Sequence, residues 1–232
     1  MIIGRRKMAE IQIKTKELFN LEHTMAKDQL AMTEYPWEIL DGIGDIILKL
    51  GSELDKSLYD HREDGVWIAK SATVAPTAYI GAPCIIGERS EIRHGAFIRG
   101  KALVGNDCVV GNSAELKNCI LFDNVQVPHY NYVGDSVLGY KAHMGAGSIT
   151  SNVKSDKTFV KVKLHDGAVL ETGRKKLGAM LGDGVEIGCN SVLNPGTVIG
   201  KNTNVYPLSS VRGVVPSDSI YKSGDVIVEK KK

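Results

Sequence analysis

The chain has 232 residues, with 29 Lys and Arg against 27 Asp and Glu and a formal net charge of +2. That balance excludes bulk electrostatic binding to nucleic acid, and no apolar run reaches the roughly 18 residues that a membrane-spanning helix needs. Four cysteines without a C-x-x-C pair, and no long apolar leader, point to one large domain with a small extension in a reducing cytoplasm.

The first element is a helical extension over residues 1–60. Pro36 suits the first turn of a helix, where its missing N–H costs nothing. Trp37, Leu40, Ile43, Ile47, Leu50 and Leu54 follow at steps of three or four, a helical stripe. Gly42, Gly44 and Gly51 weaken it. An earlier helix is expected around Leu18–Met32. The apolar face needs cover, which a role as a cap on the first repeat of the next domain would supply; binding a partner is the alternative. Residues 61–65 lie in a polar stretch and read as a linker.

Nine aliphatic residues then stand six apart: Ile68, Val74, Ile80, Ile86, Ile92, Ile98, Val104, Val110 and Leu116. Two places before most of them sits a small residue, as at Ala72, Ala78, Cys84, Ala96 and Cys108. This rhythm fits neither a helix of period 3.6 nor a strand of period 2. It is an internal repeat, with one aliphatic residue per hexad pointing inward. Cys84 and Cys108 then read as buried packing residues. Glycine often follows the aliphatic position, as at Gly87, Gly105 and Gly111, where tolerance of positive φ suits a sharp corner. Past Leu116 the rhythm slips: Phe122 keeps it, Val127 is early, Val133 resumes, Leu138 is early and Met144 resumes. An insertion spans about 153–177. Within it residues 159–164 alternate, Asp166-Gly167 signals a hairpin turn and Ala168-Val169-Leu170 returns. A second regular run follows from Leu181 through Ile187, Leu193, Ile199 and Val205 to Val211, so the repeat domain covers 66–215 and leaves a tail over 216–232.

The slipped hexads contain Val127-Pro128-His129-Tyr130-Asn131-Tyr132-Val133-Gly134-Asp135 and, further on, Gly145-Ala146-Gly147-Ser148-Ile149-Thr150-Ser151-Asn152. The hexads resemble those of the hexapeptide-repeat transferases, which implies an all-β solenoid, a left-handed parallel β-helix, assembled as a homotrimer. The pattern H-x-x-Y-x-G-D followed by G-A-G-[ST]-I-T-x-N is similar to that of the acetyltransferase domain of the bifunctional enzymes that make UDP-N-acetylglucosamine, and of archaeal sugar-phosphate relatives. The resemblance implies acetyl-CoA as co-substrate and an amino-sugar phosphate such as glucosamine-1-phosphate as acceptor.

Residue by residue, the resemblance places His129 on the catalytic base, and neutral imidazole suits that role near pH 7. It places Arg99 and Lys117 on the sugar phosphate, which needs guanidinium or ammonium partners. Tyr132 and Asn152 match sugar contacts, and Lys157, or alternatively Lys161, a later substrate lysine. Ala146, Cys189 and Pro207 fall at coenzyme positions, and backbone N–H groups near Ala146-Gly147 are placed to stabilise an oxyanion. Asn152 also suits a left-handed corner. His143 and Val153 depart from the bacterial pattern, which has a sugar-binding asparagine and a tyrosine there. Thr172-Gly173-Arg174-Lys175-Lys176-Leu177 follows the archaeal pattern, and Arg174, Lys175 and Lys176 could reach the coenzyme phosphates. Sixty residues cannot hold the nucleotidyltransferase domain of those bifunctional enzymes, so the acetyltransferase half alone is expected. Two other readings share the fold: a non-catalytic scaffold or sugar-nucleotide-binding protein, and a γ-carbonic-anhydrase-like metalloenzyme using His94, His129 and His143. Those histidines lack the five-residue spacing of that family, so no metal is expected.

Overall fold

In a computed structural model the structure describes residues 13–62, 65–164, 167–224 and 226–231. The hexads wind a parallel β-solenoid, the fold class that they imply. Three faces recur. On the first, Ile68, Ile86, Val104, Leu121, Leu138, Leu181, Ile199 and Val215 stand in register on successive coils. The second carries Val74, Ile92 and Val110 to Val205. The third runs from Ile80, Ile98, Leu116 and Val133 to Leu193 and Val211. Nearly all these inward side chains are buried, and they form the core with the small residues two places earlier. Burial also pushes the Cys108 and Cys119 thiols up to about 12 and Cys84 higher still, so these three are inert packing residues.

The slip has a structural cause. The strand Glu115–Leu121 continues from the third face onto the first without a full corner, as does Tyr132–Leu138. Each of these coils is therefore one residue short, and Leu121, not Phe122, takes the inward place beside Val104. Phe122 instead packs on Phe19 of the extension, ring centroids 5.0 Å apart.

The glycines after the aliphatic positions have another role than the one expected. None of Gly87, Gly105, Gly111, Gly139, Gly182 or Gly188 has positive φ. A Cβ at Gly87 would run into the Gly105 backbone, and one at Gly111 into the Pro128 carbonyl. They are small because the next coil lies against them. Positive φ falls two places later, on Arg89, Asp107, Asn124, Asn202 and their equivalents.

The extension forms a 3₁₀ turn at Pro36–Asp41 and an α-helix at Ile43–Glu53, with Pro36 in the first turn as expected. The expected earlier helix is reduced to short turns at Thr15–Leu18, Leu21–His23 and Lys27–Ala31. The helix Ile43–Glu53 lies along the first face, against the strands Cys84–Ile86, Ala102–Val104 and Glu115–Leu121, rather than over the open end of the first coil. The reason is chemical. The outward residues of that face, Trp67, Ile85, Leu103, Ile120, Val137 and Met180, are also apolar, and each is 7% exposed or less. Ile43 and Ile47 of the helix cover the earlier coils, the 3₁₀ turn of Trp37 and Leu40 packs on the strand Tyr132–Leu138, and Val160 and Val162 of the insertion are buried as well. Asp183 fixes the extension at one corner through the Asn20 N–H (2.7 Å) and its own N–H to the Leu18 carbonyl (3.0 Å).

Residues 59–62, part of the polar stretch, pair antiparallel with 66–69, while Glu63 and Asp64 lie outside the described residues. The insertion contains the expected hairpin, Lys161–Lys163 against Val169–Glu171. Asp166 of its turn lies outside the described residues, and Gly167 has φ of 87°. The base of the insertion is closed by Leu177 N–H donating to the Asn152 carbonyl at 3.0 Å. Strand pairing continues past residue 215, with Ser219–Lys222 parallel to the strand of Asn204 and antiparallel to Val226–Glu229.

Gly51 reports how tightly the helix sits on this face. Alanine in a helix normally gains about 1 kcal/mol over glycine. Here its Cβ would enter the Trp67 indole, and overpacking costs about 1–3 kcal/mol. Gly51→Ala is therefore expected to lower the urea midpoint, the reverse of the usual sign.

Candidate functional site

One corner, between the third and first faces, gathers four of the residues singled out in the sequence. Arg99 and Lys117 each follow an inward aliphatic residue and stand on adjacent coils. Tyr132 projects from the third face next to the Glu115 strand, and Asn152 follows on the next coil. A buried carboxylate, Asp135, joins them. It accepts from Lys117 Nζ at 2.9 and 3.0 Å, from Asn118 Nδ2 at 2.9 Å and from Asn152 Nδ2 at 2.5 Å. Its own side chain is 3% exposed and that of Lys117 is 26% exposed. Asn152 Nδ2 also donates to the Tyr132 hydroxyl at 3.2 Å. Burial holds the Tyr132 phenol above its ordinary value, so it stays a neutral hydroxyl. Arg99 pairs with Glu115 at 2.9 Å, which raises its affinity for the proton further.

Local sequence explains the geometry. Asn118 and Asp135 sit at φ of 50° and 49°, conformations that asparagine and aspartate tolerate. Asn152 is not among the left-handed residues, so the corner does not require it for its backbone. Gly134 leaves the room in which Tyr132 and Asn152 meet, since a Cβ there would overlap the hydroxyl and the amide. Its φ is not positive, so Gly134→Ala tests space alone. We expect it to push the Tyr132 hydroxyl and the Asn152 amide apart and to cost about 1–3 kcal/mol of stability, read as a lower urea midpoint.

Arg99, Lys117 and Asp135 line a cleft of about 580 Å³ between the solenoid and the two segments that cover the first face, whereas Tyr132 and Asn152 are not among the residues that line it. Arg174, Lys175 and Lys176 line it beside Arg99 and Lys117. Cys189 and Pro207, expected at coenzyme positions, line a separate groove of about 470 Å³ on the second face, with His143 and Glu186. Ala146 is not among the residues lining that groove. Lys157 is exposed in the insertion and does not line the cleft, and Lys161 is paired with Glu171 at 2.6 Å.

His129 occupies the next corner, between the second and third faces, and is exposed. Asn131, 2% exposed, fixes its backbone: its Oδ1 accepts the His129 N–H at 3.0 Å, and its Nδ2 donates to the Gly145 and Ser148 carbonyls at 2.9 and 3.1 Å. Gly147 N–H donates to the His129 carbonyl at 3.0 Å. The Gly147 N–H, expected with that of Ala146 to face an oxyanion, is thus already engaged within the chain. Sequence reasoning passed over Asn131, Asn118 and Asp135. Asp135 ends the H-x-x-Y-x-G-D pattern, so the signal was present without a role attached.

Among the described residues no group of three or more His, Cys, Asp or Glu side chains is placed to hold a metal ion. His94 meets Thr77 at 2.9 Å and His143 meets Glu186 at 2.8 Å. Among the described residues no helix is long and apolar enough to cross a membrane.

Comparison with known proteins adds relatives. The family described as the GMPPB C-terminal domain matches residues 82–172. The chain is 30% identical over 222 residues to a bifunctional sugar-1-phosphate nucleotidylyltransferase/acetyltransferase of Sulfurisphaera tokodaii, covering 89% of this chain and 54% of that protein. It is 30% identical over 203 residues to the bifunctional protein GlmU of Methanococcus maripaludis, covering 85% and 48%. The chain thus spans about half the length of these relatives or less. Among solved structures, a putative acetyltransferase of Bacillus cereus overlaps 73% of this chain and 80% of its own at 20% identity and a TM-score of 0.41. The acetyltransferase domain of PglB from Neisseria gonorrhoeae overlaps 72% and 58% at 16% identity and 0.33. The chain is a hexapeptide-repeat β-solenoid related in sequence to the bifunctional sugar-1-phosphate nucleotidylyltransferase/acetyltransferases.

Proposed function

We propose that the protein transfers the acetyl group of acetyl-CoA to the nitrogen of an amino sugar that carries phosphate on its anomeric oxygen, glucosamine-1-phosphate being the simplest. The observation that carries this reading is one corner where Arg99 and Lys117 line the cleft beside Asp135, and Asp135 holds Asn152, which in turn donates to the Tyr132 hydroxyl. Cations there suit a phosphate, and the tyrosine and asparagine suit sugar hydroxyls. Kinship with bifunctional sugar-1-phosphate proteins supports the same acceptor class.

In this reading the sugar amine attacks the thioester carbonyl. The C–N bond forms, the C–S bond breaks and CoA leaves as its thiol. His129 takes the proton from the nitrogen, and the Ala146 N–H faces the developing oxyanion. The acceptor cleft, His129 and the Cys189–Pro207 groove stand at different corners of the solenoid and on different coils. A homotrimer, in which neighbouring copies contribute these parts to a shared site, is part of the proposal.

Acetyl-CoA binding separates this reading from that of a non-catalytic scaffold. Calorimetry on the intact chain is expected to give saturable binding that weakens when Cys189 is replaced by a bulkier residue such as Tyr. Absence of binding up to millimolar acetyl-CoA contradicts the transferase reading.

A further inference from the structure

Resting on the role just proposed for His129, we infer that Asn131 is a positioning residue, which holds the His129 corner and the Ala146 turn of the next coil in one fixed arrangement. Packing in the repeat does not call for an asparagine here. Asn131 fills the slot two places before the inward residue of the third face. On the other coils of that face the slot holds Ala78, Ala96, Ala114, Ser148, Ser191 and Ser209. Ser148 and Ser209 bond inside their own corners, each Oγ donating to a carbonyl just upstream, of Gly145 at 2.7 Å and of Tyr206 at 2.6 Å. Asn131 is 2% exposed, and a carboxamide costs free energy to bury at that depth unless its polar atoms find partners. A larger polar side chain in a slot built for small ones points to a task that alanine or serine cannot perform.

The asparagine reaches across two coils. Its Oδ1 accepts the His129 N–H at 3.0 Å, and its Nδ2 donates to the Gly145 and Ser148 carbonyls at 2.9 and 3.1 Å. Those carbonyls flank Ala146-Gly147, and the Gly147 N–H donates back to the His129 carbonyl at 3.0 Å. One buried side chain thus ties the backbone of the proposed base to both ends of the turn that carries the Ala146 N–H. The His129 side chain is exposed, so its backbone sets the point from which the imidazole reaches the sugar amine. A misplacement of about 1 Å between such groups can cost about 10² in rate. In Asn131→Ser both corners keep the packing of the repeat and lose the tie between them. Substrates keep their contacts, because Asn131 lines neither the acceptor cleft nor the Cys189–Pro207 groove.

The test compares Asn131→Ser and Asn131→Ala, residues that other coils carry in this slot, with Ser90→Ala at the corner between the first and second faces. Ser90 is also buried, its Oγ donating to the Gly105 carbonyl at 2.7 Å and accepting the Cys108 N–H at 2.9 Å. Thiol release from acetyl-CoA with glucosamine-1-phosphate is expected to lose about 10² in kcat in both Asn131 variants, with each KM within about twofold. Ser90→Ala is expected to lower the melting temperature and keep kcat. In a His129→Ala background the loss from Asn131→Ser is expected to shrink below about tenfold, because the two residues act as a unit. Amide hydrogen exchange needs no turnover: residues 127–131 and 145–149 are expected to exchange about tenfold faster in Asn131→Ser, with the other coils unchanged. An unchanged kcat, the same fold-loss in both backgrounds, unchanged exchange in those two segments, or a rise in exchange across every coil overturns the inference. The two proposals fail separately. A His129→Ala protein of full activity removes His129 from the chemistry; a rate that falls in His129→Ala and holds in Asn131→Ser removes only the positioning role.

Discussion

Replacing His129 by alanine is expected to lower turnover by about 10²–10⁴, the usual contribution of a positioned general base, while leaving the fold intact. The imidazole is exposed and the hydrogen bonds of this residue run through its backbone, to Asn131 and Gly147. Truncating such a side chain changes stability by no more than about 0.5 kcal/mol. The KM for acetyl-CoA should hardly move, because Cys189 and Pro207 line a different groove. Steady-state rates with thermal melts on the same preparations check this. An unchanged rate removes His129 from the mechanism; a collapsed melting temperature shows that the loss is structural.

Asp135→Asn is expected to be the most damaging change at the acceptor corner. Asparagine matches aspartate in size and tolerates the left-handed backbone at this position, so strain is not the cause. The cause is hydrogen bonding. The carboxylate accepts from Lys117, Asn118 and Asn152, and an amide turns an N–H₂ group toward donors. Breaking a fully buried pair costs about 3–5 kcal/mol. Lys117 keeps some contact with solvent, at 26% exposure, so about 2–4 kcal/mol is the better figure. For a chain of this size that corresponds to a melting temperature lower by about 5–15 °C. The acceptor KM should rise with it, because Lys117 and Asn152 lose the group that aims them. Removing a negative charge by itself favours an anionic ligand. A lower KM in this variant would mean that bulk charge, and not the aim of these side chains, sets affinity.

The inward column of the solenoid was legible because each aliphatic residue repeats at a fixed interval, from Ile68 to Leu116. The outward column of the first face was equally present in the sequence and went unread. Trp67, Ile85 and Leu103 recur every 18 residues, one apolar outward residue per coil, and mark the face that needs a cover. Period six hides a period of eighteen. Placing the helix over the first coil instead of along this face follows from that omission. The slip at Leu121 was unreadable because Leu121 and Phe122 are both apolar and both buried; only strand register tells them apart. Arg99, Lys117, Tyr132 and Asn152 were legible as types at fixed spacings. That Arg174, Lys175 and Lys176 would face Arg99 was not, because the insertion returns across the first face through tertiary contacts such as Arg174 with Asp41 at 2.7 Å.

In the proposed function this corner presents an amino sugar to a thioester. Release of free CoA thiol, followed across 2-, 3- and 4-amino sugar phosphates and their nucleoside diphosphate forms, tests it most directly. Saturable thiol release with at least one amino sugar, matched by an N-acetylated product of the same stoichiometry and abolished in Lys117→Ala, is the result expected. Tight binding of both ligands with no thiol released from any of them would contradict it.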